Sequence, residues 1–241
     1  MEMKNKSIGG IFMNCALIVA GGTGSRMKMD INKQFFKLND KEIVIRTMEA
    51  FDTNLNIDEI VVVLKKEEIE FFRTKILPKY RFIKPIKLVE GGQQRQDSVY
   101  NGLKALDKDC KNVLVHDGAR PFVSQDIINN TVSKLKALGA VVVAVKVKDT
   151  IKYVDEENNI ESTLNRDSLF AVQTPQAFRY KMLLKAYEHA YENEIIATDD
   201  SSLVEELGYK VKIINGSYDN IKITTKEDLD FAYQILKRKG E

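Results

Sequence analysis

Short runs of consecutive apolar residues recur along the chain, and stretches with helical spacing of apolar residues separate them. The strand-like segments that contain these runs cover residues 15–19, 59–64, 86–89, 113–116 and 140–145, and they are apolar except at Glu59, Lys87 and His116. Runs of this length that are rich in Val, Ile and Leu are typical of buried parallel strands. Helical spacing occurs at residues 42–51, 67–77 and 125–138, and in a helix that begins near Ser98. The alternation predicts a mostly parallel sheet with helices on both faces.

The pattern changes after residue 145. Residues 148–154 and 160–164 alternate apolar and polar positions around the polar run 155–159, which predicts a β-hairpin. Because a two-stranded hairpin is marginally stable alone, we expect it to pack against a second copy of the chain. In the remainder, residues 173–178 are expected to open a helix over 179–191. A helix from about residue 198, a strand over 210–214 and a last helix with a capping box at 225–228 are also predicted.

Composition narrows the class of protein. A chain of 241 residues, 44% apolar and without a Pro- or Ser-rich linker, predicts a single domain over residues 1–241. A net charge of +2 with both signs interleaved does not favour nucleic-acid binding. No apolar run is long enough for a membrane span or a signal peptide, so we expect a cytoplasmic protein in which residues 1–13 are an N-terminal extension. Cys15 and Cys110 are expected to be buried and reduced.

The first predicted strand ends in a glycine-rich loop with two cations. The loop reads Ala20-Gly21-Gly22-Thr23-Gly24-Ser25-Arg26, and Lys33 follows. Glycines let a backbone approach a phosphate, and the cations offset its charge. The dinucleotide fingerprint would need glycine where Met27 stands, and the P-loop string does not occur. A nucleotidyltransferase loop fits the segment, and a plain tight turn is the alternative.

Three other segments carry candidate chemistry. Gly91 to Ser98 join a strand to a helix and suit a base or a phosphate, although Asp97 or Ser98 could simply cap the helix. Asp117, followed by glycine at a strand end, suits Mg²⁺ beside a triphosphate, with a salt bridge to Arg120 as the alternative. His116 is expected to be structural. Lys222 is either a solvated lysine or a phosphate clamp.

Together with residues 149–152, 173–176, 198–200 and 220–224, these segments resemble the 2-C-methyl-D-erythritol 4-phosphate cytidylyltransferase family. The resemblance runs from about Cys15 to the last helix, in order and at the family's spacing. It implies a Rossmann-like α/β nucleotidyltransferase fold with a twisted, mostly parallel sheet and a protruding β-arm at about residues 148–166. It also implies CTP and a sugar-alcohol phosphate as substrates, Mg²⁺ or another divalent cation, and a homodimer in which each arm reaches the partner's site.

The resemblance assigns a role to each candidate residue. It implies Arg26, Lys33, Arg166 and Lys222 as catalytic residues, and Asp117 as the metal ligand. It implies CTP binding by Ala20, Gly21, Gly22, Gly24, Gly92, Gln93, Ser98 and Gly118. It implies sugar-phosphate binding by Arg120, Thr150, Arg166, Thr198 and Lys222. Gly21, Asn32 and Gln93 depart from the residues usual in the family, and Gln93 leaves a base contact less defined.

The implied reaction transfers CMP from CTP to methylerythritol phosphate, whose ionised phosphate is itself the nucleophile. Such a reaction needs positioning and charge stabilisation rather than a side-chain nucleophile. Two alternatives remain: a ribitol-5-phosphate cytidylyltransferase, and a nucleotide-binding module without activity. Residues 163–166 and 198–200 look more like the methylerythritol enzyme. The joint presence of Arg26, Lys33, Asp117 and Lys222 argues against an inactive module.

Overall fold

A computed structural model describes residues 13–22 and 33–240. The strands in these ranges are β1 (Met13–Val19), β2 (Lys37–Leu38), β3 (Lys41–Glu42), β4 (Glu59–Leu64), β5 (Ile86–Glu90), β6 (Cys110–Asp117), β7 (Ala140–Lys146), β8 (Lys152–Val154), β9 (Ile160–Thr163), β10 (Phe170–Arg179) and β11 (Lys212–Asn215). The α-helices are α1 (Ile43–Asp52), α2 (Lys66–Phe71), α3 (Arg95–Ala105), α4 (Gln125–Leu138), α5 (Tyr180–Glu192), α6 (Asp200–Glu206) and α7 (Lys226–Lys239).

One seven-stranded sheet organises the fold, in the order β11-β7-β10-β6-β1-β4-β5. Every neighbouring pair is parallel except those of β10, which runs antiparallel to both β6 and β7. Successive residues of β1 point to opposite faces: Ala16 and Ile18 join the hydrophobic cluster with α1 and α4, and Cys15 and Leu17 join the cluster with α3 and α5. The mostly parallel sheet with helices on both faces is therefore confirmed.

The helix boundaries agree with the apolar pattern where local signals are strong. Helix α4 spans the predicted residues, with the Ser124 hydroxyl accepting from Ile127 N–H at its start and Gly139 at φ 84° at its end. The helix predicted over 67–77 is less regular. After α2 it continues as a π-helix, Phe72–Ile76, and a 3₁₀ turn, Leu77–Lys79, because Phe72 and Ile76 turn into the core.

Residues 173–178, which were expected to open a helix, lie within β10, and the helix follows the strand directly. The pairing of β10 with β7 shifts register between Val172 and Gln176, which accommodates Pro175 inside a strand although proline has no N–H for the ladder. The helix that follows, α5, starts one residue later than expected. Residues Gln173 to Gln176 consequently lie beside the end of β6.

The predicted hairpin is present as β8 and β9, which form a separate two-stranded antiparallel sheet. Every residue of the two strands is exposed. The Asp155 carboxylate closes the turn by accepting from the N–H groups of Glu157 and Asn159. The segment of residues 148–166, called the arm below, therefore presents its side chains to solvent in a single chain.

The two cysteines are free and buried in the core. None of the helices within residues 13–22 and 33–240 combines the length and apolarity that crossing a bilayer requires.

Candidate active site

Asp117 ends β6, between the carboxyl end of β1 and strand β10. Its N–H donates to Thr174 Oγ1 of β10 at 3.0 Å, which fixes the backbone at this point. Its carboxylate faces three cations: Lys222 Nζ lies 2.9 Å and Arg120 Nε 3.4 Å from Oδ2, and Arg95 Nε lies 3.7 Å from Oδ1. The salt bridge to Arg120 that the sequence left open is therefore present, as one of three.

Burial of Asp117 opposes ionisation, but attraction to Lys222, Arg95 and Arg120 outweighs it and holds the pKa of this carboxyl well below its ordinary value. The group is a carboxylate at neutral pH. An anionic ligand that enters this cluster could pair with the three cations that now pair with Asp117.

Two loops are bound together around this cluster. Ile223 N–H donates to Ala119 O at 2.9 Å, and Arg120 Nη1 donates to Asn220 O at 2.7 Å. Asn220 is fully buried and donates through Nδ2 to Thr174 O at 2.9 Å. These bonds place Lys222 beside Asp117, so its position is that of a site residue and not of an isolated surface lysine.

The cluster opens into a cleft of about 470 Å³, called the β6 cleft below. Thr198, which precedes α6, lies in its wall together with Arg120 and Lys222. The lining residues are Arg95, Asp117, Arg120, Val172, Gln173, Thr174, Gln176, Thr198, Asp199, Ser201, Ser202, Glu205 and Lys222.

Thr150 and Arg166 do not line the β6 cleft of their own chain. Both are exposed on the arm, and Arg166 Nη1 donates to Lys148 O at 2.9 Å. The structure therefore brings Arg120, Thr198 and Lys222 together, and leaves the two arm residues apart from them.

The predicted nucleotide loops meet at neighbouring strand ends. Gly118 N–H donates to Val19 O at 2.9 Å, and a Cβ on Gly118 would lie 3.0 Å from the Ala20 Cβ. A Cβ on Gly21 would lie 3.9 Å from Ser98 Oγ, so the turn after β1 faces the start of α3. Gly22 is exposed. Gly24 and Arg26 lie outside the described residues, as does the side chain of Lys33.

The turn before α3 depends on close packing. Ser98 Oγ accepts from Gly92 N–H at 3.1 Å, and a Cβ on Gly92 would lie 2.1 Å from Asp97 Cβ, which only glycine avoids. Asp97 caps the helix by accepting from Gln94 N–H at 2.9 Å. The capping alternative therefore holds for Asp97, whereas Ser98 holds the glycine turn. Gln93 is exposed beside it.

Sequence reasoning gave no role to several residues that build the site. Both Nη atoms of Arg95 donate to Asp200, at 2.9 and 2.7 Å. Gln176 Oε1 accepts from Asp200 N–H and Ser201 N–H, each at 3.0 Å, and its Nε2 donates to Asp199 Oδ2 at 2.8 Å. These polar residues lie in the motifs described for the sequence, but the sequence does not show which residues they contact.

His116 has the structural character expected of it. It is fully buried, its Nε2 donates to Arg120 O at 3.1 Å, and its ring packs edge-on against Phe51 at 5.0 Å. Burial lowers the pKa of His116 to about 4, so the ring is neutral at pH 7. It supports the loop that carries Arg120.

Comparison with known proteins gives a consistent result. The family model described as IspD, 2-C-methyl-D-erythritol 4-phosphate cytidylyltransferase, matches residues 14–238. A 2-C-methyl-D-erythritol 4-phosphate cytidylyltransferase of Clostridioides difficile is 54% identical over 224 residues, which cover 93% of this chain and 94% of that protein. Its counterpart in Alkaliphilus oremlandii is 48% identical over 225 residues, covering 93% and 95%.

Solved structures agree with the sequence relatives. The crystal structure of 4-diphosphocytidyl-2C-methyl-D-erythritol synthase from Anaerococcus prevotii superposes with a TM-score of 0.84 at 38% identity, covering 94% of this chain and 96% of that one. This chain belongs to the 2-C-methyl-D-erythritol 4-phosphate cytidylyltransferase family.

Proposed function

We propose that the β6 cleft is where CTP and 2-C-methyl-D-erythritol 4-phosphate react. The enzyme transfers CMP to the sugar-alcohol phosphate, and 4-diphosphocytidyl-2-C-methyl-D-erythritol and pyrophosphate are formed in isoprenoid precursor synthesis. The observation that carries the proposal is the convergence of Lys222 and Arg120 on Asp117, beside Thr198. Two cations and a hydroxyl at one point are suited to holding phosphate groups close together.

The proposed reaction needs no nucleophile from the protein. A phosphate monoester has its second pKa near about 6, so most of it is a dianion at pH 7. One of its oxygens attacks the α-phosphorus of CTP, the bond to the β-phosphate oxygen breaks, and pyrophosphate leaves. The protein contributes alignment of the two polyanions and stabilisation of the charge on phosphorus.

The sugar phosphate would be held by Arg120, Thr198 and Lys222. The Lys222 amine pairs with Asp117 here, but its side chain is 38% exposed and flexible enough to turn to a phosphate oxygen. The Arg120 guanidinium is more deeply buried and held by Asn220 O, so it offers a fixed donor face. A mobile cation and a fixed cation together would orient the attacking oxygen.

The nucleotide would lie along the neighbouring strand ends. Ala20, Gly21, Gly22 and Gly24 are the proposed contacts of the triphosphate, and Gly92, Gln93, Ser98 and Gly118 are the proposed contacts of the cytidine. The Ala20 N–H is not available for this, because it donates to Val63 O at 2.8 Å. Arg26 and Lys33 would offset the charge that develops on the α-phosphorus. For Arg26, Gly24 and the Lys33 side chain the proposal rests on the sequence, since they lie outside the described residues.

Mg²⁺, or another divalent cation, is the proposed cofactor, with Asp117 as its ligand. The group is ionised, and its Oδ1 lies 3.7 Å from Arg95 Nε, too far for a hydrogen bond, so this oxygen retains lone pairs for a cation. The described residues contain no cluster of three His, Cys, Asp or Glu that could hold a metal alone. One carboxylate plus substrate phosphate oxygens is a usual Mg²⁺ set. The bound ion would neutralise charge on the triphosphate.

A homodimer that shares its sites through the arm is the proposed assembly. The arm exposes Tyr153 by 59% and Ile160 by 63%, and apolar side chains of this kind are normally covered in a working protein. A two-fold axis would bring Thr150 and Arg166 of each arm to the partner's cleft.

Dependence on CTP favours the cytoplasm as the place of reaction.

A pyrophosphate-release assay tests the function. Purified protein is given CTP, MgCl₂ and either methylerythritol 4-phosphate or ribitol 5-phosphate, and the nucleotide product is identified by mass. We expect a much higher kcat/KM with methylerythritol phosphate. Lys222→Gln should lower it at least about a hundredfold, whereas Arg73→Gln, in an exposed pair with Glu70, should not change it. A preference for ribitol phosphate would favour the alternative substrate, and absence of turnover would favour the inactive module.

A further inference from the structure

Arg95 is the first residue of α3 and lies three positions after Gly92. Its side chain crosses the β6 cleft to the start of α6, where its two Nη atoms bind the two oxygens of Asp200, at 2.9 and 2.7 Å. The two residues are 105 positions apart in the chain. A paired contact of this kind fixes the angle between guanidinium and carboxylate as well as their distance.

Asp200 is held from more than one side. Its carboxylate is fully buried, and Oδ1 also accepts from the hydroxyl of Tyr187. Asp200 begins α6 directly after Thr198 and Asp199, which line the β6 cleft. Because the carboxylate cannot turn, the position of Arg95 determines where Thr198 lies relative to α3.

The third nitrogen of the same guanidinium faces the reacting region. Arg95 Nε lies 3.7 Å from Asp117 Oδ1, and the side chain is 29% exposed in the cleft wall. Arg95 therefore contacts both Asp117 and Asp200, and it is also the first residue of α3. The turn before α3 is the proposed cytidine site. No role in the reaction was assigned to Arg95 above.

Other bonds join the same segments away from the cleft. Gln96 Nε2 donates to Ile195 O at 3.0 Å, and Tyr191 donates its hydroxyl to Asp97 Oδ1 at 2.6 Å. Neither Gln96 nor Tyr191 lines the β6 cleft. They hold α3 against the end of α5 and the segment that follows it, and their hydrogen bonds do not involve Asp117 or Asp200, so they offer a matched control.

We propose that Arg95 is a positioning residue that couples the nucleotide side of the cleft to its sugar-phosphate side, acting through Asp117 and Asp200. The inference rests on the proposed function of the β6 cleft. Nucleotide bound against the Gly91-Gly92 turn and Asp117 fixes the position of α3, and Arg95, through its pair with Asp200, then holds Thr198 in place for the second substrate. Lysine cannot replace it, since an ammonium cannot meet both carboxylates in the same plane.

A double variant tests whether Arg95 positions Thr198 or only neutralises the charge of Asp200. Arg95→Gln/Asp200→Asn removes both charges and leaves no buried ion unpaired, so we expect its Tm within about 5 °C of the wild type. We expect its kcat/KM for methylerythritol phosphate to stay at least about thirtyfold lower, because displacement of about 1 Å in a reacting pair costs about a hundredfold. Recovery of both Tm and activity in the double variant would overturn the proposal.

Binding measurements give a second, independent readout. The Kd of methylerythritol phosphate is measured by calorimetry with and without Mg²⁺ and an α,β-methylene analogue of CTP. In the wild type we expect the analogue to tighten binding at least about tenfold. Arg95→Lys should reduce this ratio below about threefold, and Tyr191→Phe should preserve it.

An unchanged ratio in Arg95→Lys, or no coupling in a wild type that turns over normally, would overturn the proposal while leaving the proposed function intact. Absence of turnover in the wild type would instead overturn the function. If the double variant does not fold, the ratio in Arg95→Lys decides.

Discussion

Replacing Asp117 by asparagine tests how much the cation cluster of the β6 cleft depends on its carboxylate. The substitution keeps size and shape but leaves Lys222, Arg120 and Arg95 facing a neutral amide. At an effective dielectric constant of about 20, unit charges at these distances of 2.9, 3.4 and 3.7 Å attract by about 6, 5 and 4 kcal/mol. These attractions are opposed by desolvation of the ions and by repulsion among the cations.

The net loss of stability in Asp117→Asn is much smaller than the sum of these three attractions. Arg95 keeps its pair with Asp200, and Lys222 can turn to water, so Arg120 is the cation that loses most. Breaking a buried pair costs about 3–5 kcal/mol, and the partial exposure of this cluster reduces it to about 2–4 kcal/mol. For a chain of this size 1 kcal/mol shifts Tm by about 2–4 °C, so we expect Asp117→Asn to melt about 5–15 °C lower.

Urea unfolding and thermal melting in a low-salt buffer without phosphate provide the measurement. Asp219→Asn is the matched control, because Asp219 pairs with Arg238 at the surface and should change stability by less than about 1 kcal/mol. Inorganic phosphate should stabilise Asp117→Asn more than the wild type, since the three cations then have no protein anion between them. A variant as stable as the wild type would refute the reasoning, because desolvation would then balance the attraction.

Three further predictions concern the last helix, the glycine loop and the arm. Burial opposes ionisation of Asp228, but hydrogen bonds from Thr224 and Thr225 outweigh it and lower its pKa. The ionised Asp228 therefore contributes its full stabilisation above its ordinary pKa of about 4, and this stabilisation is lost as the pH falls below that value. Urea unfolding of Asp228→Asn should lack this acid dependence. Lys33→Ala should lower kcat about a hundredfold or more with a modest change in KM for CTP, and a loss confined to KM would mean that Lys33 only binds the triphosphate. Co-refolded Arg166→Ala and Lys33→Ala chains should regain up to about a quarter of wild-type activity, because half of randomly paired dimers contain one intact site; inactive heterodimers would contradict a site shared through the arm.

The apolar pattern determined the central strands and several helices by itself. Strands β1, β4 and β7 are covered on both faces, so nearly every position is apolar, and that requirement is visible locally as an uninterrupted run. In β6 the apolar run is limited to residues 113–115. Helix α4 was equally well defined, because Ser124 and Gly139 satisfy the backbone at its two ends. The glycine loop and Asp117 could be assigned to one edge of the sheet, since the carboxyl ends of parallel strands gather there.

Only the tertiary structure decided the direction of β10. Residues 173–176 contain a proline and polar side chains, which are unusual in a central strand, yet Gln176 pairs with both β6 and β7, and residues 170–172 pair with β7. The antiparallel insertion brings Thr174 and Gln176 to the end of β6, where they hold Asp117 and the start of α6. A local pattern records whether a residue is buried, but not which neighbour satisfies its backbone.

The sequence also did not show which charged residues pair with one another. Arg95 and Asp200 each stood in a recognisable motif, but the motifs are far apart in the chain and nothing in either specifies a mutual contact. Charge pairing depends on distance in space, which the order of α3, β6 and α6 around the sheet sets. The residue types therefore indicated a site for phosphates, whereas the fold alone made Asp117 the point at which Lys222, Arg120 and Arg95 meet.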